Sequence, residues 1–271
     1  MTIEKIFVFI FGSIVGSFLN VCIYRLPLEQ SVVVPRSFCP HCKKTIPWYD
    51  NIPLLSYLIL KAKCRACGQR ISPRYFIVEL LTALAFLLLF KVHGISFNFF
   101  FYTILTCGLI VATFVDIQHR IIPDEISLGG IVVGFILSAV KGMKLDPLAY
   151  NFIPPLNSLL GIIVGGGILY LTGFIFDLVY FKLLKKPPIQ GETESMGGGD
   201  IKLLAMIGAF LGWKKAILIF FLAPFFGAVV GIINLCVKKD HTIPYGPFLS
   251  LAAFAAMFWA DKIIGLILLA R

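Results

Sequence analysis

The sequence predicts an all-α polytopic membrane protein of about eight transmembrane helices, with a small cytoplasmic insert folded around paired cysteines. Three observations predict it. Hydrophobic residues make up 59% of the chain and charged residues only 14%, and mean hydropathy is +0.93. Such a chain lacks the polar surface a soluble globule needs. Apolar runs long enough to cross about 30 Å of hydrocarbon recur along its length. Four of the seven cysteines fall into two Cys-x-x-Cys pairs inside one basic loop.

The candidate spans lie near 4–24, 75–92, 97–116, 125–141, 156–181, 197–213, 216–237 and 245–270. The sixth reaches spanning length only if a glycine run and Asp200 lie within the membrane. Residues 1–24 are read as the first helix, 25–74 as the insert and 75–271 as the membrane core. The first segment lacks a basic n-region and an Ala-x-Ala site, so it is expected to stay as an anchor. The net charge of +10 sits at the ends of apolar runs, which points to membrane orientation rather than nucleic acid. The loop from Arg25 to Arg74 holds nine basic residues against Glu29 and Asp50, which places it in the cytoplasm. Alternation then puts Arg120, Lys182, Lys185, Lys186, Lys202, Lys238 and Lys239 on the same side, against Lys141, Lys144, Lys214 and Lys215. Asp116 and Asp200 both fall at the cytoplasmic ends of their spans.

In the first span, Gly12-Ser13-Ile14-Val15-Gly16-Ser17 would let a second helix approach closely. Asn20 either bonds to a neighbouring helix or lines a pocket. In the insert, Cys39-Pro40-His41-Cys42 and Cys64-Arg65-Ala66-Cys67 stand 21 residues apart. Each pair can deliver two thiolates to one tetrahedral zinc ion, and the metal would supply what so short a segment cannot supply by packing. The rival is two disulfides, which a reducing cytoplasm disfavours. Trp48-Tyr49-Asp50-Asn51 and the apolar residues to Leu58 would rest on the membrane surface or line a pocket. Glu79, one turn into an apolar helix, should face a polar site or a basic group.

Asp116 is attached directly to its apolar helix, whereas Asp124 follows Pro123 and reads as a cap. His119 reads as interfacial. Gly161, Gly165, Gly166 and Gly167 suggest close helix packing, and Asp177 is a further acid in the same span. The polar loop 185–195, with Lys185-Lys186-Pro187-Pro188, is expected to gate access to Asp200. Gly197, Gly198 and Gly199 then lead into Asp200. Three glycines at a helix start forfeit about 3 kcal/mol against alanine. Two readings fit them: an ordinary loop whose aspartate caps the helix, or bare backbone for an extended peptide beside the acid.

Hydrolysis of a peptide bond needs a water deprotonated as it attacks and a hydrogen bond to the carbonyl oxygen. Two adjacent carboxylates sharing one proton supply both. A proton or cation pathway also uses buried acids, so a proton-coupled transporter is the reading from another class.

The chain resembles the type IV prepilin peptidases, the bifunctional leader peptidases and N-methyltransferases. The resemblance rests on Gly16-Ser17-Phe18-Leu19-Asn20-Val21, Tyr24-Arg25-Leu26-Pro27, the paired cysteines, Ile71-Ser72-Pro73-Arg74 with Glu79, Asp116 with Ile122-Pro123-Asp124, and Gly197-Gly198-Gly199-Asp200-Ile201-Lys202-Leu203-Leu204. It implies that Asp116 and Asp200 are the catalytic pair. It also implies cleavage of prepilins or pseudopilins after the glycine that ends a short basic leader, at the bacterial inner membrane. Methylation of the new terminus from S-adenosylmethionine would follow, with Asn20, Trp48, Asp50, Asn51 and Glu79 as candidates for the cofactor side. The nearest alternative is a peptidase of other membrane helices without methylation.

Overall fold

The computed structural model describes residues 2–145, 153–184, 196–237 and 244–269. The expected gate at 185–195, Lys238 and Lys239 lie outside the described residues, as do the side chains of Lys144 and Cys236. Nine α-helices are described: α1 Thr2–Arg25, α2 Leu55–Ile59, α3 Pro73–His93, α4 Phe97–His119, α5 Asp124–Leu145, α6 Ile153–Asp177, α7 Gly198–Leu211, α8 Trp213–Val237 and α9 Gly246–Leu269. Apart from the short α2, each coincides with one predicted apolar run. Among the described residues, six helices are long and apolar enough to cross a membrane. The predicted sixth and seventh spans are not among them, and the side chains of α8 are described only as far as Val229. α7 has 14 residues, about 21 Å at 1.5 Å per residue.

The chain divides into two compact units, Met1–Val115 and Asp116–Arg271. In the first, α1 packs closely along α3 because glycines on α1 remove the side chain at two of the contact points. A Cβ at Gly12 would lie 2.8 Å from the Ala83 Cα, and one at Gly16 would lie 2.7 Å from the Glu79 Cα. The opposite face of α1, with Ile10, Ile14 and Phe18, is exposed, as suits a lipid-facing helix. Phe99 at the start of α4 meets Phe86 and Phe90 of α3 edge to face.

In the second unit α7 is the inner helix. Every residue from Leu203 to Leu211 is buried, which is how a helix apolar all round must be accommodated. α6 reaches its backbone through glycines: Gly161 abuts Gly208, and a Cβ at Gly165 would lie 2.5 Å from the Leu204 carbonyl oxygen. Ser158 adds a hydrogen bond to the Ala209 carbonyl at 2.7 Å. α6 ends at Asp177 and widens into a π-helical segment, Leu178–Leu183.

These contacts separate glycines that packing requires from glycines it does not. Gly16→Leu is expected to destabilise the first unit by about 1–3 kcal/mol through overpacking. Gly167→Ala, where a Cβ meets nothing within 4 Å, should instead be neutral or stabilising by up to about 1 kcal/mol. Thermal melting of the two variants in detergent checks the contrast.

Candidate active site and metal centre

Asp116 occupies the last turn of α4 and is 6% exposed. Its Oδ2 accepts the Gly246 backbone N–H at 2.9 Å. Gly246 opens α9, so the carboxylate lies at a helix N-terminus, where unpaired N–H groups and the dipole favour an anion. Asp200 stands in the first turn of α7, and its backbone N–H donates to the Gly197 carbonyl. Gly197 makes no side-chain cap, and Asp200 lies inside the turn rather than at its cap, so the ordinary-cap reading does not describe it.

Ile122 is the wedge that brings the two helix ends together. A Cβ at Gly199 would lie 3.1 Å from the Ile122 Cβ, and one at Gly246 would lie 3.4 Å from its Cδ1. The chain reaches Ile122 through Arg120, whose φ of 55° is left-handed and whose N–H donates to the Asp116 carbonyl at 2.9 Å. Lys202 of α7 then binds Asp124 of α5 at 2.7 Å. The residue read from sequence as a cap thus ties α5 to α7. Of the three glycines, Gly199 serves packing on Ile122, a Cβ at Gly197 would face the Asp200 carboxylate at 3.3 Å, and Gly198 is open. His119 is exposed at the end of α4.

Sequence reasoning missed Tyr245 and Gly246. Tyr245 is half-buried and immediately precedes Gly246, whose N–H holds Asp116. The available signal was Pro244-Tyr245-Gly246-Pro247: proline suits the first helical turn, and a glycine beside it marks a close approach.

The cysteine pairs form two equivalent knuckles. In the first, the Cys39 N–H donates to the Lys44 carbonyl and the Lys43 N–H to the Cys39 carbonyl. The second repeats this with Cys64 to Gln69 and Gly68 to Cys64. Lys43 and Gly68, at matching positions, both have positive φ, 59° and 70°. Flanking bridges pair Phe38 with Thr45 and Lys63 with Arg70. The four sulfurs of Cys39, Cys42, Cys64 and Cys67 lie within 4.8 Å of one another, with Cys39 and Cys67 at 3.9 Å. Thiolates at about 2.3 Å from a tetrahedral zinc stand about 3.8 Å apart, so the set fits that ion. All four thiols are free, not paired as disulfides. His41 is not in the cluster.

Beside the knuckles, within the first unit, lies a cavity of about 380 Å³. Asn20, Asp50, Asn51 and Glu79 line it; Trp48 does not and is 72% exposed. The aromatic stretch divides, with Ile52, Ser56 and Tyr57 on the cavity and Leu55 and Leu58 exposed. Asp50 accepts three hydrogen bonds from Arg65 at 2.7–3.1 Å, and these hold its carboxyl below the ordinary range. Glu79 accepts the Leu54 N–H at 2.7 Å, where Leu54 itself has a strained φ of 62°.

Two family models match the chain: the bacterial peptidase A24 N-terminal domain over residues 10–93 and the type IV leader peptidase family over residues 103–232. Curated relatives carry the name prepilin leader peptidase/N-methyltransferase. That of Myxococcus xanthus is 39% identical over 230 residues, covering 85% of this chain and 63% of the relative. That of Aeromonas salmonicida is 32% identical, covering 94% of this chain and 91% of the relative. That of Legionella pneumophila is 34% identical with the same coverage. No solved structure matches.

Proposed function

The chain belongs to the type IV leader peptidase family, a family of proteases, and we propose that it removes the leader of prepilins or pseudopilins with Asp116 and Asp200. The observation that carries the proposal is that Ile122 packs against both Gly199, next to Asp200, and Gly246, whose N–H anchors Asp116. One carboxylate takes a proton from the attacking water while the other, protonated, donates to the scissile carbonyl. The proton then passes to the departing amine as the C–N bond breaks. The pair titrates as a unit, so neither acid is assigned the proton.

Cleavage after glycine, on the cytoplasmic side of the bacterial inner membrane, follows from the family resemblance and from the excess of lysine and arginine in the loop from Arg25 to Arg74. A substrate with an apolar helix in the bilayer and a basic leader outside it presents its scissile bond at a membrane boundary. Methylation of the new amino terminus from S-adenosylmethionine is the second activity. Mass spectrometry of a pilin precursor produced with and without this protein tests both. Leader loss plus the mass of one methylene is expected. An intact precursor overturns the peptidase, and a cut but unmethylated product overturns the transferase.

In this proposal Cys39, Cys42, Cys64 and Cys67 hold a structural zinc ion. About one zinc per chain is expected, and Cys39→Ser should lose it and lower the melting temperature, because metal binding at such a site supplies folding free energy. Metal analysis and melting curves of the two proteins provide the check.

A further inference from the structure

The insert of the first unit carries an apolar face that stays exposed. α2 turns Ser56 inward and leaves Leu55, Leu58 and Ile59, at the spacing of one helix face, exposed. Trp48, in the helical turn Trp48–Asn51 that packs on α2, is exposed as well. Large apolar side chains gathered in this way are a liability in water.

The level at which this face sits is fixed by contacts with α3. The Leu54 N–H, at the start of α2, donates to Glu79 Oε2 at 2.7 Å, and the Tyr57 ring stands 5.4 Å from that of Phe76. Glu79 lies about 9 Å into α3, counted from Pro73 at 1.5 Å per residue, and α3 is long and apolar enough to cross a membrane. The exposed apolar face of α3 begins at that level with Ile77 and continues through Leu81, Leu84 and Leu88. On α1, Gly16 abuts Glu79, and Phe18 beside it is exposed too. The exposed face of α2 is therefore level with the lipid-facing residues of both helices.

The backbone around α2 also meets the condition that lipid sets. The Ile52 N–H donates to Ser56 Oγ at 3.0 Å, and those of Ser56, Leu58 and Leu60 donate to the carbonyls of Ile52, Leu54 and Ser56. Polar backbone close to hydrocarbon needs such partners. Directly after α2, the exposed Lys61 and Lys63 supply the positive charge that anionic headgroups attract.

We propose that α2 is an interfacial anchor lying in the leaflet where α1 ends and α3 begins, with Leu55, Leu58 and Ile59 among the acyl chains and Glu79 setting its depth through the Leu54 N–H. The partner of this face is lipid. The cysteine knuckles then stand on a membrane-bound base.

The test uses the full-length chain with Trp48→Phe, Trp213→Phe and Trp259→Phe, which removes its three tryptophans, and with Leu58→Trp or Ile59→Trp as the single reporter. Each protein is reconstituted into vesicles of phosphatidylethanolamine and phosphatidylglycerol, brominated on the acyl chains near the glycerol end or near the methyl end. An interfacial helix sinks its apolar face about 5–10 Å into the headgroup and acyl boundary, so the shallow bromines should quench either reporter about twofold more than the deep ones. Adding Glu79→Leu should cut that quenching by about half, because the N–H that sets the depth loses its acceptor. Glu79→Gln keeps an acceptor oxygen and should leave the quenching as it was. Reporters untouched by bromine but quenched by acrylamide place the face in water, and reporters shielded from both place it against protein; either result overturns the anchor. Quenching unchanged by Glu79→Leu overturns the role given to Glu79.

Discussion

Asp116→Asn and Asp200→Asn each lower the rate of leader cleavage by about 10³-fold, within the range expected when a general acid or base is removed. The substitution is isosteric, and an asparagine at 116 can still accept the Gly246 N–H that Asp116 accepts at 2.9 Å. The helix ends therefore stay in place, and the change isolates the chemistry. An amide is neither a general acid nor a general base near neutral pH, so the pair loses either its base or its proton donor. In the wild type, cleavage should follow a bell-shaped pH profile, because the reaction needs one proton between the two acids. It falls at low pH when both are protonated and at high pH when neither is. Initial rates on a purified prepilin across pH, with zinc content measured on the same preparations, give the result.

Gly246→Ala is expected to lower kcat by about 10²-fold, the scale of loss from misplacing a reacting group by about 1 Å. The added Cβ would stand 2.7 Å from Asp116 Oδ2 and 3.3 Å from its Cγ, with Ile122 at 3.4 Å on another side. The carboxylate must move, and the wedge that aligns α7 with α9 moves with it. Gly198→Ala is the informative contrast, because its Cβ meets nothing within 4 Å. If that variant melts like the wild type but shows a raised KM, a bound peptide passes over the glycine run. Steady-state kinetics with melting curves separate the two effects.

Much of this arrangement was legible in the chain. Apolar runs placed eight helices because each must satisfy its own backbone in lipid. Small residues at 12, 16, 161 and 165 marked helix contacts, and the contacts are there. Cysteine spacing marked the knuckles because a metal's geometry fixes ligand separation. What stayed illegible depends on distant partners. No local pattern says that Gly246 bonds to a residue 130 positions away, that Ile122 packs against both Gly199 and Gly246, or that Glu79 receives the Leu54 N–H. Length by itself misled at α7, whose apolar run suggested a full crossing. The stretch Leu203–Leu211 is instead apolar because other helices surround it.

The central claim is that two acids from different helices act as one catalytic unit. Its most direct test is a double-mutant cycle on prepilin cleavage with Asp116→Asn, Asp200→Asn and the two combined. Residues that act as a unit are non-additive, so the double variant should cleave no more slowly than either single one. Losses that multiply, or a single variant that cleaves at the wild-type rate, would contradict the account.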